Sequence, residues 1–234
     1  MFKMSSHASR GPIRMLIFDM AGTVINEEGI VYKTLYNTMM DYRLDVNKED
    51  MYKWHGRNKY EVLTEYLKKD NSLKLHESFT ILEEGLHDSF DYNLKERYFS
   101  SSNSIKLMDE KIPELFNKIR ERNIKIALNT GYGKDIQEAI IKKLNMTEFV
   151  DDYISSEEVK YGRPYPYMIY RLMEEHGIDM PTKVVKFGDT QNDIMEGKNA
   201  GCWSVGVLSG SDGADRLIGA DAIINSVMNI TMES

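Results

Sequence analysis

Four short motifs carry side chains that could handle a phosphoryl group. Asp19 follows the apolar run in LIFDMAGTV, and Thr130 follows the one in ALNTGYG. Arg163 lies in KYGRPYPY, and two further acids, Asp189 and Asp193, lie in KFGDTQNDIMEG. A carboxylate can attack phosphorus and form an aspartyl-phosphate. An arginine can neutralise the phosphoryl group and position the attacking acid. Together the four motifs indicate phosphoryl-transfer chemistry.

A divalent cation would let these acids share one site. Asp19 and Asp189 would repel each other unless a cation lay between them. Mg²⁺ suits that place, because it prefers oxygen ligands and substrate phosphates. Asp193 follows Asp189 by four residues, so both acids face one side if a helix begins there. We therefore predict a Mg²⁺ site formed by Asp19, Asp189 and Asp193, with the backbone carbonyl near Ala21 as a further ligand.

The segment that begins at Thr130 could hold the phosphoryl oxygens. Its hydroxyl and the N–H groups of Gly131 and Tyr132 would lie at the start of a helix, where anions bind. Each candidate also has an ordinary structural interpretation, since Asp or Thr can cap a helix and Arg163 can be a solvated surface cation. The joint occurrence of four such elements, each after a strand or before a helix, favours the functional interpretation.

Short apolar runs alternate with helical patterns along most of the chain. Five runs are too short for helices and suit strands that are covered on both faces. These runs are residues 13–18, 124–128, 184–187, 203–207 and 222–224. Helical periodicity occupies residues 112–122, 135–144, 165–176 and 193–200. This alternation predicts an α/β fold with a Rossmann-like, doubly wound parallel sheet. Ligands bind beyond the carboxyl ends of such strands, where the motifs fall.

Residues 29–102 differ from the rest, because they are helical in period and contain no convincing strand. The block directly follows the first strand, so we predict an all-helical cap domain inserted into the sheet domain. Its linkers would lie at residues 26–29 and at the Ser/Asn-rich stretch 100–104. A cap of this kind excludes water from a site and can contribute residues of its own.

The core domain would then comprise residues 13–28 and 103–234, preceded by a disordered lead-in at residues 1–12. Within the cap, four residues at helical spacing form an apolar stripe that packs internally or forms a dimer face. These residues are Tyr32, Leu35, Tyr36 and Met39.

Composition argues against several classes of protein. The 234 residues include 30 Lys and Arg against 37 Asp and Glu, a formal charge of −7 that disfavours a general nucleic-acid surface. No apolar run reaches membrane-spanning length, and the N-terminus lacks the apolar segment of a secretory signal. The single cysteine, Cys202, fits a reducing compartment. We therefore expect a cytoplasmic protein that acts on a small substrate, with no nucleic-acid or membrane partner.

The segments FDMAGT, NTGYG, GRPYPYM and FGDTQNDIMEGKNAG resemble the four motifs of the haloacid dehalogenase superfamily. Within it, they are most similar to phosphonoacetaldehyde hydrolases (phosphonatases) and their phosphonatase-like relatives. The resemblance extends from residue 13 to about residue 211 and includes the position of the cap. It implies that Asp19 is the nucleophile, that Mg²⁺ is the cofactor, and that Arg163 stands where many relatives have lysine. It also implies a possible homodimer formed through the cap.

Position 21 separates the reactions within this superfamily. Phosphatase branches have a second acid two residues after the nucleophile, which protonates a departing alkoxide. Here that residue is Ala21. An enzyme that cleaves a carbon–phosphorus bond needs an acceptor for electrons instead, and a lysine Schiff base supplies one. The resemblance places this lysine in a Gly-x-x-Lys pattern of the cap, which Gly56 and Lys59 match. Phosphonatases have methionine where this chain has His55, and histidine where it has Val62.

Three hypotheses follow from these residues. The first is a Mg²⁺-dependent hydrolase of phosphonoacetaldehyde or a close analogue, with Asp19 as nucleophile and Lys59 as Schiff-base lysine. The second is a phosphatase for a small phosphate monoester, in which His55 protonates the leaving oxygen because imidazole titrates near neutrality. The third is a binding module without catalysis, against which the complete set of motif residues argues.

Overall fold

A parallel sheet of six strands forms the centre of the computed structural model, which describes residues 2–4, 12–70, 78–100 and 105–232. Its strands are β1 (Met15–Asp19), β2 (Lys125–Thr130), β3 (Asp152–Ser155), β4 (Val184–Gly188), β5 (Trp203–Val207) and β6 (Ala222–Ile224). Their order across the sheet is β3–β2–β1–β4–β5–β6, and every neighbouring pair is parallel. The predicted doubly wound architecture is confirmed.

Helices cover both faces of this sheet, which explains why its central strand β1 is apolar up to its last residue, Asp19. The core helices are α4 (Ile112–Arg120), α5 (Lys134–Lys143), α6 (Tyr167–Glu175) and α7 (Gln191–Ala200). Successive side chains of a strand point to opposite faces. Leu16 and Phe18 of β1 belong to a core cluster with residues of α4 and α5, whereas Met15 and Ile17 pack with residues of α6.

The strand order places the end of β1 at the middle of the sheet. The chain runs from β1 to β2 and β3 on one side, then crosses to β4, β5 and β6 on the other. Ligands of doubly wound sheets bind at the carboxyl ends of strands, where the strand order reverses. Asp19, the last residue of β1, therefore lies at the position where such a fold binds its ligand.

The inserted segment is helical in all its regular elements among the described residues. It contains α1 (Ile30–Asp41), a 3-10 helix (Lys48–Trp54), α2 (Lys59–Lys69) and α3 (Phe79–Phe99). Of the predicted apolar stripe on α1, Tyr32, Leu35 and Met39 are buried within the chain, and Tyr36 is half-buried. The stripe therefore packs internally.

Both connections between this segment and the sheet domain pass through a short antiparallel ribbon. Ile25–Asn26 pairs there with Lys106–Leu107. The second predicted linker lies largely outside the described residues, since 101–104 are not among them.

Two elements differ from the sequence-based expectations. Strand β3 was not predicted, because it is an edge strand that pairs only with β2 and begins with two half-buried residues. Phe2–Met4 forms a strand that pairs in parallel with Ile230–Met232, where the sequence predicts a disordered lead-in. The lead-in's residues 1 and 5–11 lie outside the described residues. None of the described helices is long and apolar enough to cross a membrane.

Candidate active site

The motif residues converge on one cavity between the end of the sheet and the cap helices. The cavity is narrow, with a volume of about 10 Å³. Every site residue predicted from the sequence lines it, except His55 and Asp193. Three residues that were not predicted also line it, namely Val31 and Tyr32 of α1 and Thr190 of the core. The cavity thus combines groups from both parts of the chain.

Three buried acids lie close together beside this cavity. Asp19, Asp189 and Asp193 each offer a carboxylate oxygen within 4.8 Å of the other two. Burial raises the pKa of Asp189 well above its ordinary value, and the charges of Asp19 and Asp193 raise it further. Burial also raises the pKa of Asp19, although Arg163 opposes the shift. Both shifts arise first from burial and then from neighbouring carboxylates, and a bound cation would oppose both effects.

The chemistry of the donor set fits a hard divalent cation such as Mg²⁺, because all three groups are carboxylates. Their present partners differ, however. Oδ1 of Asp193 lies 2.7 Å from Lys186 Nζ and 3.0 Å from Arg163 Nη1, and its Oδ2 accepts a hydrogen bond from Thr190. Burial raises the pKa of Asp193, but the two cations lower it below its usual value. Asp189, which makes no ion pair among the described residues, therefore carries most of the uncompensated charge.

Arg163 is held in one orientation by a buried network. Its Nη1 donates to Asp19 Oδ1 at 2.6 Å, and its Nη2 donates to the Asn129 carbonyl at 2.8 Å. Its Nε donates to Glu196 Oε2 at 3.1 Å, and Glu196 in turn accepts two hydrogen bonds of 2.9 Å from Asn129 Nδ2. The side chain of Arg163 is 1% exposed. The network aims the guanidinium at the proposed nucleophile.

Three members of this network were not predicted from the sequence: Asn129, Lys186 and Glu196. Lys186 is fully buried in β4, and a single lysine inside an apolar strand is a signal that a buried acid lies opposite. Glu196 follows Asp193 by three residues on α7, a spacing that puts both acids on one helix face.

Lys59 lies inside the cavity rather than in solvent. It is the first residue of α2, directly after the N-cap Asn58, and is 5% exposed. Its Nζ donates to the Arg57 carbonyl at 2.7 Å and lies 5.1 Å from the ring centroid of Tyr32. Burial, and after it the charge of Arg163, lower the pKa of Lys59 from 10.5 to about 8.

Two glycines allow the cap loop to touch the core directly. Gly56 has a φ of +71°, and a Cβ atom there would collide with Oγ1 of Thr190. A Cβ atom at Gly131 would lie 2.5 Å from the Arg57 carbonyl oxygen. Because neither position has room for a side chain, the loop closes tightly over the carboxyl end of the sheet.

His55 lies next to this loop but outside the cavity. Its Nδ1 is 3.0 Å from Asp212 Oδ1 in the core, and its ring stacks at a tilt against Tyr32, with 4.6 Å between centroids. Its carbonyl accepts a hydrogen bond of 2.6 Å from Asn192. The structure therefore gives His55 a contact between cap and core instead of the predicted place in the substrate pocket.

Tyr132 has its hydroxyl engaged by a buried chain of hydrogen bonds. Tyr98 of α3 donates its proton to Glu27 at 2.7 Å, and the hydroxyls of Tyr98 and Tyr132 are 2.8 Å apart. Because Tyr98 has only one proton, Tyr132 donates to Tyr98. The backbone N–H of Tyr132 donates to Thr130 Oγ1 at 3.2 Å.

Comparison with known proteins assigns the chain that forms this site to a family. The family model of haloacid dehalogenase-like hydrolases matches residues 16–207. The phosphonoacetaldehyde hydrolase of Bacillus cereus (strain B4264) is 30% identical over 204 residues, which cover 85% of this chain and 77% of that relative. The chain belongs to the haloacid dehalogenase-like hydrolase family and, within it, resembles the phosphonoacetaldehyde hydrolases, so the resemblance inferred from its motifs is confirmed.

Solved structures agree on the fold. A phosphonoacetaldehyde hydrolase-like protein from Oleispira antarctica has a TM-score of 0.74 at 22% identity, covering 94% of this chain and 90% of that one. CbbY from Rhodobacter sphaeroides, solved in complex with phosphate, has a TM-score of 0.71 at 18% identity, covering 93% and 97%.

Proposed function

We propose that this enzyme is a Mg²⁺-dependent hydrolase that cleaves the carbon–phosphorus bond of phosphonoacetaldehyde or a close analogue. One observation carries the proposal: the amine of Lys59 is buried in the same cavity as Asp19 and Ala21. An amine in this position can form a Schiff base with a substrate aldehyde. The similarity to phosphonoacetaldehyde hydrolases supports the same reaction.

The proposed roles follow from the contacts. Lys59, whose pKa is lowered to about 8, is neutral in roughly a tenth of molecules at pH 7, and this fraction can attack the aldehyde carbon. Asp19, oriented by Arg163, attacks phosphorus, while Thr130 and the N–H group of Gly131 bind phosphoryl oxygens. The electrons of the broken bond pass into the Schiff base, which becomes an enamine. Water then hydrolyses the aspartyl-phosphate.

Asp19 and Asp189 would hold the Mg²⁺ ion, together with the carbonyl of Ala21. Asp193 would complete the acidic group while keeping Lys186 and Arg163 in place. When bound, the ion supplies positive charge against the phosphoryl oxygens and relieves the repulsion between the carboxylates. The absence of a side-chain acid at position 21 also fits, because a carbon leaving group stabilised as an enamine needs no protonated oxygen.

The alternative hypothesis of a phosphatase loses its proposed acid in this structure, because His55 contacts Asp212 rather than the cavity. A binding module without catalysis has little support, since the nucleophile, its arginine and the acidic group are all assembled in one place. A cytoplasmic location and a homodimer formed through the cap remain predictions from the sequence.

Trapping with borohydride tests the proposal. The protein is incubated with Mg²⁺ and phosphonoacetaldehyde, reduced, and digested for mass spectrometry, and we expect the label on Lys59. Lys59→Arg should abolish both the label and phosphate release from the phosphonate. Lys53→Arg is the matched control, because Lys53 lies six residues earlier in the cap, pairs with Asp50 and is exposed. Wild-type protein that releases phosphate without any label on Lys59 would contradict the proposal.

A further inference from the structure

The cavity contains a phenol from the cap whose proton has no acceptor in the part of the chain that the structure describes. Tyr32 of α1 lines the cavity with Asp19, Lys59 and Asp189, and it is 8% exposed. Its hydroxyl oxygen accepts a hydrogen bond of 3.1 Å from the backbone N–H of Gly56. Among the described residues, no group accepts a hydrogen bond from that hydroxyl. The proton of Tyr32 is therefore available to a group that binds in the cavity.

The other hydroxyls that line the cavity differ from Tyr32 in this respect. The proton of Tyr132 is donated to Tyr98, which donates to Glu27. Thr190 donates to Asp193 Oδ2. Thr130 has an aliphatic hydroxyl, which is a much weaker acid than a phenol. Tyr32 is thus the phenol of this cavity that is free to donate.

The position of Tyr32 is fixed on three sides. The N–H of Gly56 holds its oxygen, the ring of His55 packs at 4.6 Å between centroids, and Nζ of Lys59 lies 5.1 Å from its centroid. A substrate joined to Lys59 through a Schiff base would have its leaving carbon two bonds from that nitrogen. Such a substrate would lie beside the ring of Tyr32.

We propose that Tyr32 is the general acid of this enzyme and donates its proton to the leaving atom of the substrate. The inference rests on the proposed function and extends it, because it supplies the proton donor that Ala21 cannot. Burial, and the nearby charge of Asp189, raise the pKa of Tyr32 well above its ordinary value. The phenol is therefore protonated at neutral pH, which is the state that a donor requires.

The atoms of the step balance. Attack by Asp19 breaks the carbon–phosphorus bond, and its electron pair passes into the iminium of Lys59 to give an enamine. Tyr32 donates its proton to the enamine carbon and becomes a phenolate, while the nitrogen returns to an iminium. Water adds to the iminium, acetaldehyde leaves, and the phenolate recovers a proton from that water. Lys59 is then a neutral amine, and formation of the next iminium takes up the one proton that hydrolysis of the aspartyl-phosphate releases.

Tyr32→Phe tests the proposal, because it removes the hydroxyl and keeps the ring. In single turnovers with Mg²⁺, we expect acetaldehyde release from phosphonoacetaldehyde to slow by about 100-fold or more. Release of nitrophenolate from p-nitrophenyl phosphate should stay within about twofold of wild type, because that leaving group needs no proton. Tyr36→Phe, one turn further along α1 and half-buried, is the matched control and should retain both rates.

The outcomes separate this proposal from the function on which it rests. If both rates fall equally in Tyr32→Phe, the hydroxyl has a structural role and is not the general acid. If neither rate falls, the proposal that Tyr32 is the general acid is also overturned. Wild-type protein that cleaves alkyl phosphates but not the phosphonate overturns the phosphonatase function only. The same comparison, between an alkyl and a nitrophenyl ester, then tests Tyr32. Wild-type protein that releases phosphate from neither class overturns both.

Discussion

His55 of the cap and Asp212 of the core form a hydrogen-bonded pair, with 3.0 Å between Nδ1 and Oδ1. Asp212 also accepts from the backbone N–H of Gln191 at 2.9 Å and donates its own N–H to the Asp189 carbonyl at 3.1 Å. The pair thus connects the cap loop to the segment that carries Asp189 and Asp193. Its two side chains are 16% and 5% exposed, so the contact is largely shielded from solvent.

We expect His55→Ala to lower kcat/KM by about tenfold, because a partly buried hydrogen bond contributes about 1 to 1.5 kcal/mol to the closed state of the cap. Asp212→Asn should have a similar effect, and the double variant should be little worse than either single variant. Steady-state kinetics of the four proteins with saturating Mg²⁺ measure this coupling.

A second histidine pair provides the control for this cycle. His176 and Asp152 lie 2.9 Å apart, and His176 is about as shielded as His55, although Asp152 is more exposed than Asp212; both residues belong to the core. His176→Ala should leave kcat/KM nearly unchanged. Simple additivity of the His55 and Asp212 effects would show that their contact does not hold the cap closed.

Gly56→Ala should prevent full closure of the cap. The new methyl group would collide with Thr190, so the loop that precedes Lys59 must move away from the core. We expect phosphate release to fall by at least about 100-fold, because small misplacements of a reacting group cost that much. Mg²⁺ binding, measured by calorimetry, should change little, since Asp19 and Asp189 belong to the core.

Gly29→Ala separates the collision from backbone strain. Gly29 has a φ of +69°, almost the same as Gly56, but a Cβ atom there would have no neighbour within 4 Å. Both variants therefore lose about 1 kcal/mol through the left-handed backbone, and only Gly56→Ala adds a clash with the core. Equal activity losses in the two variants would attribute the effect to strain alone.

Most of the core site follows from the pattern of strands. Asp19 and Thr130 each end an apolar run, and Asp189 directly follows one, so a parallel sheet had to bring them to one edge. The Gly-x-x-Lys register located Lys59 in the cap. None of this required knowledge of how the cap packs on the core.

The residues that sequence analysis missed or misplaced depend on that packing. Tyr32 belongs to an apolar stripe, and the spacing of a stripe does not reveal that the phenol end of one member reaches the cavity. His55 was predicted in the pocket, but the 3-10 helix Lys48–Trp54 ends just before it and its ring reaches Asp212. Lys186 was assigned only to a strand, since its acidic partner Asp193 lies on the next element.

Mg²⁺ should stabilise the fold through Asp189. Burial raises the pKa of this acid well above its usual 3.8, so without a cation its contribution to stability is lost as pH rises toward the folded-state pKa. Mg²⁺ at 100 times its Kd should restore about 2.7 kcal/mol, observed as a higher Tm. In Asp189→Asn this gain should largely vanish. A Tm that responds equally to Mg²⁺ in both proteins would place the cation elsewhere.

The pKa of Lys59 predicts a stability that depends on pH in a defined window. Burial, and then Arg163, lower this pKa to about 8, whereas the unfolded chain keeps 10.5. Between these values the unfolded chain binds more protons than the folded one, so the contribution of Lys59 makes the free energy of unfolding increase as pH rises.

Lys59→Met removes a buried charge, and near pH 7 it should stabilise the protein by about 3 kcal/mol. That advantage should disappear toward pH 10. Urea denaturation at several pH values measures it, with Lys53→Met as the exposed control. An advantage of the same size at every pH would mean that Lys59 folds with its ordinary pKa, and the neutral amine on which Schiff-base formation depends would then be scarce.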